Sequence, residues 1–468
     1  MISSLLTIPK IPDLWRRVKY TLLLIAIYRV VAAVPSPFID LGELRDIMHG
    51  ALGDRGLLQF VNLFSGGAFE QMTVVALGIM PYITASIIIQ LLGFVVPSIE
   101  RMMKEGEAGK KKINDWTRYS TVGICLVQSI GIAVWLRGMG LSAIPGHPVF
   151  FTLFVVVALT TGTLFLMWLG EKISENGIGN GISLIITVGI LASYPASAAF
   201  AFTSWQGGTL PFAWIIGIAL LSIAVTVVII LIQQGQRKIP VQHAKRMMGR
   251  RMVQAQTTYL PLRINTAGVI PVIFSGSILS FPAVFGFFGA NQAGGGGFWN
   301  WMANFFDPYS NINLYSGLES WFDWQPGGAM LLFKSFNMYT FLYAALTIAF
   351  CFFYTAIVFN PVDVADNLKK VGAFIPGRRP GKPTSDFIDY VLLRITVVGA
   401  IFLTSVALIP QILSHSFGVD WRIAQIAGGT GLIINVGVIL DTMRQIESHL
   451  LQRHYDGFMK RGRLKGRY

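Results

Sequence analysis

Two glycine-rich stretches of the sequence could bind phosphate. "GAFIPGR" (372–378) has the glycine spacing of a phosphate-binding loop, but Arg378 stands where such loops carry lysine and Arg379 where they carry serine or threonine. No strand-forming run precedes it. "GIGNG" (177–181) leads directly into an apolar run, which indicates a tight turn and not a dinucleotide site. The sequence therefore predicts no nucleotide site, and a partner must supply the energy for any uphill work.

Ionisable residues are scarce in the apolar parts of the chain. A carrier coupled to protons or sodium needs such groups near the middle of the membrane, where they pair with the cation. The candidates are Arg29, Arg118, Arg394 and Asp441, and only Arg29 lies well inside an apolar run. The sequence disfavours an ion-coupled carrier and predicts no enzyme activity, no cofactor and no metal site. A secondary transporter for a small solute stays open as the alternative.

Isoleucines occur in pairs four residues apart. Ile79 and Ile83 form one pair, and Ile182 and Ile186 form another. Residues at this spacing stack one turn apart on a single helix face. Taken alone, such a pair in a membrane helix is typical of a face that contacts lipid or a neighbouring helix.

Polar residues interrupt two of the apolar runs. Ser86 and Gln90 follow the first isoleucine pair, and Asn265 and Thr266 open a later run. Polar side chains at membrane depth prefer a helix partner or water to lipid. These two helices are therefore predicted either to share polar packing contacts or to border something other than lipid.

The composition is that of a membrane protein. The 468 residues are 53% hydrophobic and only 13% charged, against about 25% charged in soluble domains. Windows of about 20 apolar residues, the length that crosses a bilayer, predict an all-α protein with ten spans. The spans lie near 20–34, 74–96, 116–136, 149–169, 181–200, 212–233, 266–288, 339–359, 390–410 and 423–441.

Basic residues are concentrated on one set of connections. Of 37 basic residues, 31 lie in the amino-terminal segment, in 97–115, 170–180, 235–263 and 361–389, in the tail after 441, or at the helix-end residues Arg118 and Arg394. Five lie on the opposite connections. Because cytoplasmic loops carry the excess of Lys and Arg, this predicts that both termini are cytoplasmic. The long basic loops also contain turn and β-forming residues, which predicts structured protrusions.

An even span count allows a division into two five-helix halves. The polar connection "TSWQGGTL" separates residues 1–205 from residues 206–468. Many transport proteins are built from repeats of this kind, and an odd number of helices per half would invert the second copy. No sequence echo links the halves, so the division depends on the count alone.

The segment "NLFSGGAFEQ" (62–71) precedes the second apolar run. It is too polar and glycine-rich for a span and too apolar for a water-facing loop. Together with the run that follows, it resembles the bacterial SecY family, the central subunit of the general secretory translocase. The resemblance is carried in order by "FSGGAFEQMTVVALGIMPYITASIIIQLL", "KEGEAGKKKINDWTRYSTVG", "GTLFLMWLGEKISENGIGNGISLII", "GQRKIPVQHAKR", "AGVIPVIFSGSILSFP" and "FCFFYTAIVFNPVDVADNLKKVGAFIPGRRPG".

The resemblance implies two pseudo-symmetric halves around a central pore with a re-entrant plug. The plug corresponds to residues 57–72, with its mobile part at Phe64, Ser65, Gly66, Gly67 and Phe69. Glycines suit a short helix that must seat against a constriction and leave it. By motif position, the implied pore ring consists of Ile79, Ile83, Ile182, Ile186, Ile273 and Ile434. An apolar ring resists wetting and offers no specific bond to a passing chain.

The resemblance also implies a lateral gate and docking sites. Gln90 and Asn265 are the expected gate residues, holding the seam shut by a contact that an incoming apolar helix replaces. The two basic protrusions are expected to dock the SecA motor ATPase and the ribosome, whose RNA binds cationic clusters in a salt-dependent way. The residues are Arg237, Lys238, Arg250 and Arg251 in the first protrusion and Arg378 and Arg379 in the second. Further expected partners are SecE and SecG, signal peptides, nascent chains and the lipid of a bacterial plasma (inner) membrane.

Overall fold

Helices make up most of the described chain. The computed structural model describes residues 11–40, 42–44, 62, 64–141, 147–243, 246–248, 251–253, 257–290, 297–307 and 337–461. The helices are α1 (Pro12–Val31), α2 (Met80–Val95), α3 (Pro97–Lys104), α4 (Glu107–Gly138), α5 (Pro148–Asn176), α6 (Gly181–Gln206), α7 (Phe212–Gln234), α8 (Ile270–Ala290), α9 (Gly297–Phe305), α10 (Met338–Val358), α11 (Pro361–Val371), α12 (Lys382–Phe417), α13 (Trp421–Ala424) and α14 (Gly429–Arg461).

Each of the ten predicted windows contains a helix, and the predicted all-helical membrane fold is confirmed. The ten are α1, α2, α4, α5, α6, α7, α8, α10, α12 and α14. Among the described residues, seven helices are long and apolar enough to cross a membrane alone, and the bent α2–α3 pair adds an eighth. The apolar part of α8 is shorter, and α1 begins with a polar turn. These two helices are therefore not among the seven, although each lies in a predicted window.

The second span differs from its predicted bounds. Its window begins at residue 74, but residues 73–79 form turns and α2 starts only at Met80. Gly78 has a φ of 58°, in the left-handed region that favours glycine. At the other end α3 departs from α2 by 108°. Pro97 explains this break, because the residue before a proline is pushed out of the helical region, and Val96 is extended.

Two seams join the helices of residues 1–205 to those of residues 206–468. At the first seam α8 packs against α2 and α4, and at the second α6 packs against α13 and α14. Between the seams the largest apolar core of the described chain draws side chains from α1, α2, α5, α6, α7, α8, α10, α12 and α14. The middle of the molecule is therefore apolar and shared by both parts of the chain.

The two long basic connections are structured, as predicted, and they form one unit. Strand β1 (Gln236–His243) pairs antiparallel with β4 (Thr257–Arg263), and its other edge pairs with β5 (Ala373–Phe374) from the second connection. Strands β2 (Arg246–Met248) and β3 (Arg251–Val253) make a separate hairpin. Burial alternates along β1, where Ile239 and Val241 join a small core with Ile388 of α12. The sequence did not predict that the connections share a sheet.

Candidate functional site

Five of the six predicted ring isoleucines are buried in the central apolar core. They come from separate helices: Ile79 caps α2, Ile83 lies on its first turn, and Ile186, Ile273 and Ile434 lie on α6, α8 and α14. Ile434 is fully buried at 0% exposure. The structure thus places these five side chains in the same apolar core.

Ile182 is placed differently from the other five. It is half-buried and packs at the edge of the same core. A Cβ built on Gly170 of α5 would lie 2.9 Å from Ile182 Cγ1, so this side chain rests against α5. The crossing of α5 and α6 is close because Gly170 and Gly181 face each other there. The side chain of Ile182 is therefore partly engaged by a neighbouring helix.

The described part of the plug lies inside the molecule. Phe64 is buried in the same core as the ring isoleucines, whereas Phe69 is buried in a second core lined by α4 and α5. Ser65 is buried, and Gly66 and Gly67 are half-buried. Residues 57–61 and 63 of the predicted plug lie outside the described residues. The aromatic residues at the two ends of "FSGGAF" therefore anchor the segment in two different cores.

Only glycine fits at the contact between the plug and α6. A Cβ built on Gly66 would lie 2.6 Å from the Cα of Gly189, closer than real Cβ contacts come. Gly66 also has a φ of 69°, which a residue with a side chain adopts only with strain. The backbone of the plug consequently rests directly on the backbone of α6.

A polar clasp closes the plug on itself. Asn62 Nδ2 donates to Glu70 Oε2 at 2.9 Å, and the backbone N–H of Glu70 donates to Asn62 Oδ1 at 3.1 Å. Inside the clasp, Ser65 Oγ accepts from the backbone N–H of Phe69 at 3.1 Å. Because its polar groups bond internally, the segment is stable as a compact unit against apolar neighbours.

The plug is tied to the chain that follows α1. Ser36 N–H donates to the Met72 carbonyl at 2.9 Å, and Val74 N–H donates to the Val34 carbonyl at 3.0 Å. Met72 is fully buried and has a φ of 42°, an uncommon value for a residue with a side chain. This short bridge ties the carboxyl end of the predicted plug to residues 34–36.

The two predicted gate residues bond locally, and Asn265, which precedes α8, lies beside Gly399 of α12. Gln90 Nε2 donates to Ser86 Oγ at 3.2 Å, one turn earlier on α2. Asn265 is buried, and its Nδ2 donates to the Gly268 carbonyl at 2.9 Å. Within the described residues no hydrogen bond joins Gln90 to Asn265. At the first seam α2 and α8 contact each other through helix packing.

Polar contacts do cross the second seam. Asn435 Nδ2 on α14 donates to Tyr194 Oη on α6 at 3.2 Å. Nearer the basic loops, the backbone N–H of Gly179 donates to Gln445 Oε1 at 2.9 Å. The sequence patterns do not single out Tyr194, Asn435 or Gly189. A tyrosine, an asparagine and a glycine inside apolar runs were the available signals.

The basic residues predicted to dock partners lie on the shared sheet unit or directly after its strand β5. Arg237 and Lys238 are exposed on β1, and Arg378 and Arg379 are exposed after β5. The Arg378 guanidinium stacks over Phe387 with its Cζ 5.2 Å from the ring centroid. Arg251 begins β3, and Arg250 lies outside the described residues. Arg379 is therefore the more available of the two adjacent arginines.

The apolar core around the predicted ring isoleucines suits a barrier that binds no solute specifically. An apolar constriction excludes water and ions, and it gives no charged or polar contact that would hold a solute. Among the described residues no group of three His, Cys, Asp or Glu side chains could hold a metal ion.

Comparison with known proteins identifies the family. The SecY family model matches residues 73–443. The chain belongs to the SecY family. It is 43% identical over 458 residues to the protein translocase subunit SecY of Escherichia coli (strain K12), covering 97% of this chain and 96% of that protein. The prediction from the motifs, a SecY-type translocase subunit, is confirmed.

Solved structures share the fold of this SecY family member. One, described as the structure of a protein conducting channel, gives a TM-score of 0.62 at 19% identity and covers 92% of each chain. Another is Sec61 in the canine ribosome-channel complex from the endoplasmic reticulum, with a TM-score of 0.61 at 18% identity over 92% of each chain. At these identities the likeness supports the fold alone.

Proposed function

We propose that this SecY family chain is the protein-conducting subunit of a translocase and moves unfolded polypeptides across a bacterial plasma membrane. The observation that carries the proposal is that Phe64 of the plug and the ring isoleucines share one apolar core. The ring is Ile79, Ile83, Ile182, Ile186, Ile273 and Ile434, with Ile182 at its edge. Such a ring yields to side chains of different size and reseals when they have passed.

The first seam is the proposed exit to lipid. Residues 1–205 and 206–468 act as two halves, and α2 and α8 separate to release a membrane segment sideways. The packing of α8 against α2 at this seam supports the proposal. An incoming apolar helix then replaces helix packing with equivalent packing.

Partners supply energy and stability in this proposal. The chain catalyses no reaction itself; the SecA ATPase or a ribosome drives transport, and SecE and SecG accompany the channel. Both termini and the sheet unit face the cytoplasm. The exposed cations Arg237, Lys238, Arg378 and Arg379 support docking to a phosphate-rich or acidic partner. Docking to a ribosome is also supported by Sec61, which has a similar fold and is described in a ribosome-channel complex.

Reconstituted vesicles test the proposed function. With SecE, SecG and SecA present, ATP is expected to drive a protease-protected, unfolded precursor into the lumen. The same vesicles without any partner protein are expected to take up no small solute above protein-free vesicles. Partner-independent solute uptake, with no precursor import, would instead support a secondary transporter.

A further inference from the structure

A hydrogen bond crosses the second seam close to the constriction. Asn435 Nδ2 donates to Tyr194 Oη at 3.2 Å. Asn435 directly follows Ile434 on α14, and Tyr194 lies about two helical turns beyond Ile186 on α6. The bond therefore joins the two segments that bring ring residues from opposite halves of the chain.

The surroundings of this bond are apolar. Asn435 is 4% exposed, and in the described part of the chain its Oδ1 has no hydrogen-bond partner. A buried amide with few partners costs free energy, which a valine or leucine at the same place would not. Packing alone does not require asparagine at position 435, so its presence and its bond to Tyr194 indicate a role other than filling space.

Helix irregularities surround the bond. Pro195 directly follows Tyr194 inside α6 and removes the backbone bond to the Leu191 carbonyl. A cavity of about 20 Å³ is lined by Tyr194 together with Gln411 and Gln425. Close packing is thus interrupted beside Tyr194, and α6 can shift there more easily than an unbroken, fully packed helix.

We propose that the Tyr194–Asn435 hydrogen bond is a latch that holds the resting constriction narrow. A polypeptide in the pore must spread α6 from α14, and the bond breaks as they separate. Both residues are positioning residues for Ile186 and Ile434; neither needs to touch the translocated chain. This inference rests on the proposed channel function.

The ion conductance of the resting channel tests the proposed latch. Asn435→Val and Tyr194→Phe are each reconstituted with SecE and SecG, and chloride efflux is recorded without precursor or SecA. We expect efflux to rise about threefold, the effect of losing a typical hydrogen bond between membrane helices. Efflux equal to that of the unaltered chain in both folded variants would overturn the latch.

Tyr343→Phe is the matched control. Tyr343 Oη lies 3.2 Å from Thr430 Oγ1, and this buried pair joins α10 to α14 within one half of the chain. Its loss removes a similar buried bond but leaves the Tyr194–Asn435 bond in place, so we expect unchanged efflux. An equal rise in this control would show that any lost bond loosens the channel, and it would overturn the specific role of the seam.

The double variant Tyr194→Phe/Asn435→Val separates gating from stability. It leaves no unpaired amide, so we expect its thermal stability to return toward that of the unaltered protein while the efflux stays high. If the thermal stability and the efflux both returned to those of the unaltered protein, the pair would have a purely structural role. Precursor import by the unaltered chain is measured in parallel, so failure of the latch is distinguishable from failure of the channel function.

Discussion

Gly66 of the plug and Gly189 of α6 meet backbone to backbone. A Cβ on Gly66 would stand 2.6 Å from the Gly189 Cα and 3.0 Å from the Gly189 carbonyl oxygen. The plug backbone therefore packs directly against α6, and this contact depends on the absence of a side chain at residue 66.

Substituting Gly66 should lift the plug from its seat. Gly66→Ala forces the new methyl group against α6, so we expect a higher resting ion conductance and faster proteolysis of the plug. Gly67→Ala is the control, because Gly67 also has a positive φ, 85°, but nothing within 4 Å of its Cβ position. Both variants carry similar backbone strain, about 1–2 kcal/mol. Equal conductance in the two would mean that strain, and not the contact with Gly189, matters.

The clasp of the plug should set how readily it moves. Asn62→Ala removes the side chain that bonds both the Glu70 carboxylate and the Glu70 backbone. We expect faster hydrogen exchange in residues 64–70, by about five- to tenfold, since a net hydrogen bond contributes about 1 kcal/mol. The exposed neighbour Gln71→Ala is expected to leave exchange unchanged. Unaltered hydrogen exchange in Asn62→Ala would show that the bonds between Asn62 and Glu70 do not control the opening of the plug.

Reversing the charge of Arg379 should impair precursor import more than the same change at another exposed basic residue. Arg379→Glu is expected to reduce SecA-driven precursor import, because Arg379 is exposed beside the sheet and free of the aromatic contact that Arg378 makes. Lys369→Glu makes the same change of charge at an exposed position of α11 on the same connection. Import and SecA binding are compared in both variants at several salt concentrations. Equal impairment by the two would indicate a general electrostatic effect and no specific docking by Arg379.

The sequence predicted the fold well because hydrophobic length is a strong signal in membranes. Ten apolar windows became ten helices, and motif order predicted the family. The start of α2 at Met80 was missed, since residues 73–79 are as apolar as a helix but are held in turns by their contacts with residues 34–36. Periodicity cannot detect a backbone that bonds to a distant segment.

The details of the site were less accessible. The six ring isoleucines look like ordinary membrane residues, and only motif position singled them out. The contact of Gly66 with Gly189, the bond of Tyr194 with Asn435 and the pairing of β1 with β5 all join distant segments. Such relations depend on how helices cross, which a single sequence does not encode locally.

The central claim is that a polypeptide in transit passes through the isoleucine ring. The direct measurement is cross-linking of a stalled precursor to single cysteines at Ile434 and Ile439, both on α14. Ile434 is fully buried, whereas Ile439 is 49% exposed on the outer surface. We predict that the precursor cross-links to Ile434→Cys only during arrested, ATP-driven import and does not cross-link to Ile439→Cys. Cross-linking to position 439 with none to position 434 would contradict the account.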